Sequence, residues 1–142
     1  MSNTQYAFLN RTSIPSRQDL QAAVDALGFD LKLDTELDFV KDSGFSPCTL
    51  EGSPDVGFEL DSGETEEFLD GDDELLSLIG NRDFCISMSW RGSMKDCAAA
   101  MIVSCALVKS CDAVISYECE PPEPPSKMLE ATNEIVIAAR NA

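Results

Sequence analysis

The chain has no histidine, one tryptophan and two tyrosines, and its 10 basic residues stand against 26 acidic ones. Each shortage excludes something. Without histidine the commonest general base is missing, and no Ser-His-Asp or Cys-His nucleophile can be assembled. A net charge of −16 leaves too few Lys and Arg to follow a phosphate backbone. Nucleic acid is thereby disfavoured as a direct partner, and an anionic membrane surface with it. The six cysteines, Cys48, Cys85, Cys97, Cys105, Cys111 and Cys119, include no CxxC pair, so a structural zinc site has no spacing to start from. G-x-x-x-x-G-K-[ST], G-x-G-x-x-G and G-x-S-x-G are all absent. The longest apolar run, CAAAMIV, is far short of the roughly 20 residues that span a bilayer. MSNTQYAFLNRTSIP carries no apolar h-region. The expectation is a soluble, cytoplasmic protein whose cysteines are mostly small core residues in a reducing compartment.

What remains is enough for a fold. A chain of 142 residues, 44% of them apolar, forms one domain with a real core. Gln5–Leu9 reads as an opening strand. Ser16 caps a helix over Arg17–Leu27, with Asp19 at the capping-box position and Gly28 as its stop. Phe29, Leu31 and Leu33 alternate with Asp30, Lys32 and Asp34, the period of a half-buried strand. Leu37–Ser46 is turn-rich. Short strands follow at Cys48–Leu50 and Val56–Leu60, joined by the turn EGSPD. A short helix is expected near Asp72–Leu78, capped by Asp70 or Asp72.

RDFCISMSW is the clearest strand, with Phe84, Ile86, Met88 and Trp90 on one face. Ser93 and Asp96 then form an S-x-x-D box opening a helix over Met94–Ser110. That helix is apolar nearly all round and so buried. Ala113–Tyr117 is an apolar strand expected at the centre of the sheet. PPEPP is a stiff break, and SKMLEATNEIVIAAR a last helix presenting Met128, Ala131, Ile135 and Ala138. The order β-α-β-β-β-α-β-α-β-α lacks regular alternation. It predicts a single α+β domain spanning residues 1–142: a largely antiparallel sheet with the Ala/Cys-rich helix packed on one face and further amphipathic helices.

Charge is unevenly placed. Between Lys41 and Arg82 stand twelve acids and no base. DGDDE invites a calcium reading, with Asp70, Asp72 and Glu74 at the first three ligand positions. Leu75 then takes the glycine position and Asn81 the twelfth, so the loop pattern fails. Cys97, in the first turn of a helix, is open to activation by the dipole, but its apolar neighbours predict burial and an inert thiol. Neither points to an enzyme, a metal or a cofactor. The run is therefore either a solvated face or a surface for a basic protein. On the second reading Glu64, Glu66, Glu67, Asp70, Asp72, Asp73 and Glu74 supply the electrostatic contacts. Phe68 is then an anchor, unless it and Leu69 are tucked into the core. The Trp90–Ser93 turn and the PPEPP loop are alternative contact surfaces, and oligomeric state is not legible.

Three segments carry a resemblance: ISMSWRGSMKDCAAAMIVSCALVKSCDAVISY, IPSRQDLQAAVDALGFDLKL and DSGFSPC. Together they resemble a group of small, largely uncharacterised bacterial proteins that look like the immunity proteins of polymorphic or contact-delivered toxin systems. The resemblance covers most of the chain, and its motifs are structural. Arg91 stands where that group has a second glycine, and ECEPPEPP where it has a short Asp-rich turn; both fall on loops. The resemblance implies an acidic cytoplasmic inhibitor that binds a cognate basic toxin and blocks its active site. The alternative is a non-catalytic adaptor or secretion chaperone whose acidity serves solubility.

Overall fold

The computed structural model describes residues 3–69 and 73–141. Its centre is a six-stranded sheet, antiparallel throughout, in the order β2-β3-β4-β5-β1-β6. The strands are β1 (Asn3–Leu9), β2 (Leu31–Lys32), β3 (Gly44–Leu50), β4 (Ser53–Glu64), β5 (Phe84–Trp90) and β6 (Val114–Tyr117). The helices are α1 (Arg17–Ala26), α2 (Thr65–Phe68), α3 (Asp73–Ile79), α4 (Met94–Cys111) and α5 (Pro125–Ala139). This is the α+β fold the sequence predicts, with one α-helix added to the predicted order: the single turn α2, which precedes the expected short helix.

The helix ends follow the capping chemistry. Ser16 Oγ accepts from the backbone N–H of Asp19, and Ser93 Oγ from that of Asp96. The α4 helix stops where Asp112 turns left-handed, at φ 54°. Strand pairing sorts the residues onto two faces. Ala7, Leu9, Phe58, Leu60, Phe84, Ile86, Met88 and Ile115 form a front face buried under α4, α1 and α5. The α4 helix packs closely against the sheet, α1 and α5 because Ala98, Ala99, Ala100 and Ala106, all fully buried, put little side-chain bulk on its several faces. Phe8 and Cys85 face the other way, into a smaller cluster closed by Leu75 and Ile79 of α3, with Tyr6, Phe68, Leu69 and Val114 around it.

Several expectations are corrected. The apolar β6 is an edge strand, not a central one, pairing only with β1. It is apolar because both its faces are covered: Ile115 joins the front core and Val114 the back cluster. The strands β3 and β4 are longer than predicted. Their turn is the two-residue Glu51-Gly52, both at positive φ (48° and 83°), a hairpin geometry that glycine makes inexpensive. Pro54 and Asp55 lie inside β4, where the register shifts between Cys48 and Leu50 and Asp55 takes φ 64°. The buried face of α5 is Met128, Thr132, Val136 and Ala139, with Ala138 exposed. Thr132 can point inward because its hydroxyl donates to the Met128 carbonyl at 2.8 Å and meets Cys105 Sγ at 3.3 Å.

Candidate functional site

The acidic run does not fold as one loop. Its start, Asp61 to Glu64, extends β4, with Asp61 on the back of the sheet beside Glu59 and opposite Ser87. The chain then makes the single turn α2 and the short helix α3. Leu75 and Ile79, four residues apart, point to the sheet and bury. Their inward face forces Leu76 and Leu78 outward, 46% and 51% exposed, on the helix that carries exposed Asp73 and Glu74. Two residues apart on a helix, these leucines flank the inward face on opposite sides, each an apolar contact point beside exposed carboxylates. The run LLSLI held this in its spacing. Read simply as apolar, it hid which leucines were core and which were free.

The predicted contact residues separate into groups. Glu66 and Glu67 on α2 and Asp73 and Glu74 on α3 are exposed, and none makes an ion pair among the described residues. Glu64 is committed: Arg11 donates to it while lying over the Phe84 ring at 4.7 Å. Phe68 is half-buried and packs edge-on against Tyr6, centroids 6.0 Å apart, so its ring closes the back cluster. Asp70 and Asp72 lie outside the described residues.

The two alternative contact surfaces, the Trp90–Ser93 turn and the PPEPP loop, converge on one cavity of about 470 Å³. Trp90 and Tyr117 wall it, centroids 6.2 Å apart, together with Met94, Met101 and Met128. Ala131 and Ile135 of α5, the predicted inward residues, line it and are half-buried there. Arg91, Glu120 and Glu123 supply its charges. Pro121 lines this cavity and also a small cleft with Glu74, Leu75 and Leu78, so the loop before α5 joins the cavity to the acidic helix. Sequence reasoning had no signal for this meeting, since it needs the ends of β1, β5 and β6 in register.

Cys48, Cys85, Cys97, Cys105 and Cys111 are free thiols. Cys97, half-buried against the cavity, has its thiol pKa raised by burial, so desolvation outweighs the helix dipole there. Among the described residues no cluster of acids and cysteines is arranged to hold a metal ion. No helix among them is long and apolar enough to cross a membrane. No protein-family model matches the chain, and no curated protein matches it.

Proposed function

We propose that this chain is a binding module that captures and neutralises a basic protein, in the manner of an immunity protein against a bacterial toxin, acting by contact rather than turnover. The observation that carries the reading is the exposed surface of α3, on both flanks of its buried face. Two leucines stand in solvent among Asp73 and Glu74, with Glu66 and Glu67 on the neighbouring turn. Carboxylates without an internal partner attract a basic surface and speed encounter. Leucines covered by the partner slow release; each is already about half covered, so each contributes about 1 kcal/mol. The resemblance to immunity-like proteins implies the same kind of partner, a basic toxin.

The test is a pull-down with the tagged chain from the bacterium that makes it, washed through rising salt and read by mass spectrometry. One basic protein should survive high salt. Changing Leu76 and Leu78 together to Asp should release it. Changing Glu66, Glu67, Asp73 and Glu74 to Lys should slow association at low salt by about tenfold or more. A scatter of basic proteins, all lost at moderate salt and indifferent to both variants, would mean the acids serve solubility alone.

A further inference from the structure

The cavity between β6, α4 and α5 holds an observation that protein contact on α3 does not use. Gln5 lies on the front face of β1, among residues that are otherwise apolar, and is only 2% exposed. Its amide nitrogen is fixed: it donates to Ser104 Oγ at 3.1 Å and lies 3.1 Å from Met101 Sδ. Ser104 gives its own proton to the Ala100 carbonyl at 2.8 Å, so it can only accept from Gln5. Among the described residues the Gln5 amide oxygen has no hydrogen-bond partner. No buried side-chain nitrogen or oxygen among the described residues lacks one. The unbonded oxygen is therefore the sliver of Gln5 that reaches open space, and the space Gln5 borders is the cavity. A half-satisfied amide on a core face costs stability, and a donor arriving from the cavity would complete it.

We propose that this cavity is a binding site for a small planar ring compound carrying one N–H or O–H donor, neutral or cationic. Its size, about 470 Å³, is that of a small-molecule site, and its wall is mostly apolar with a few polar groups, the buried Gln5 acceptor among them. Trp90 and Tyr117 supply aromatic rings to the wall, and the Met101 and Met128 thioethers adapt to an aromatic edge. Glu120 and Glu123 outnumber Arg91, which disfavours an anion. The proposal is independent of the reading of α3, and either can fail alone.

The experiment uses the full chain with ¹³C-methyl methionine, titrated with indole up to its solubility limit and followed by NMR. The methyls of Met94, Met101 and Met128 should move in one saturable transition, well ahead of Met88 in the core. Benzothiophene, the same shape without the donor, should bind about fivefold to tenfold more weakly. Gln5→Leu should erase that difference by weakening indole alone. Ala131→Trp, at a half-buried wall position, should abolish both. Unmoved cavity methyls, or equal affinity for the two rings in the unmodified chain, would overturn the proposal.

Discussion

Cys48 shows how burial alone sets the chemistry of a residue here. Its thiol is 4% exposed, and desolvation, with the Asp34 and Asp96 carboxylates adding, pushes its pKa from 9.0 up to about 12. Cys85 is raised in the same direction, also mainly by burial. The folded-state values lie above the unfolded one. Below pH 9 both states hold the proton and these thiols confer no pH dependence. Between 9 and 12 the unfolded chain ionises first, so stability falls as pH rises. Each such thiol steepens the fall by up to about 1.4 kcal/mol per pH unit. Urea unfolding from pH 8 to 10.5 should show the decline, and Cys48→Ala should flatten it by about one thiol's share, whatever its absolute stability. An unchanged slope would mean Cys48 ionises in the fold. That the cysteines are mostly small core residues was legible from their apolar neighbours. The inward Gln5 was not, because a strand's period assigns a face without saying that a cavity opens on it.

Among elements, β4 outruns its neighbour. Its pairing with β5 begins at Glu59, so the half from Ser53 has no strand on that side. Asp96, in the first turn of α4, closes the gap: its Oδ1 accepts from the Gly57 backbone N–H at 3.0 Å, while its own N–H goes to Ser93. One residue thus ties the start of the core helix to the overhanging strand. Asp96→Ala strands the Gly57 donor and should cost about 1–3 kcal/mol in denaturant unfolding. Asp96→Asn keeps an acceptor and should recover at least half of that. Equal losses would mean that the charge at the helix N-terminus, and not the bond to β4, is what counts.

The sequence read the elements well wherever one physical signal dominated: caps for α1 and α4, alternation for β5. It misread those where two signals competed. Pro54 and Asp55 look like a turn, yet a bulge absorbs both and the turn is made beside them at Glu51-Gly52. Ala131 and Ile135 are the apolar choice for the inner face of α5, yet the cavity holds them half-open while Thr132 buries with its hydroxyl satisfied. The β6 strand looked central because covering both faces of an edge strand leaves the same composition as enclosing it.

For the whole molecule the governing quantity is charge. The acids were legible as a run; their division was not, because Glu64 is paired and Phe68 tucked in only through contacts with distant Arg11 and Tyr6. Only three ion pairs join the described residues, Arg11–Glu64, Arg82–Asp112 and Arg140–Glu51, against a net charge of −16. Most carboxylates therefore repel one another across the surface, and folding brings them closer. Glu59 and Asp61 are a clear case: both exposed, two residues apart on the back of β4, about 7 Å from each other by strand geometry. Salt shortens the reach of this repulsion from roughly 30 Å at 0.01 M to roughly 3 Å at 1 M. Thermal unfolding should shift up by several degrees across that range, since about 1 kcal/mol moves a domain of this size by roughly 3–5 °C. Glu59→Gln with Asp61→Asn should raise the low-salt Tm and shrink the salt-dependent gain. Binding of a basic partner should respond oppositely, weakening as salt rises. A Tm indifferent to salt would mean the carboxylates are already balanced by bound cations or by compact local pairing. It would remove the stability cost that makes an unpartnered acidic face informative about function.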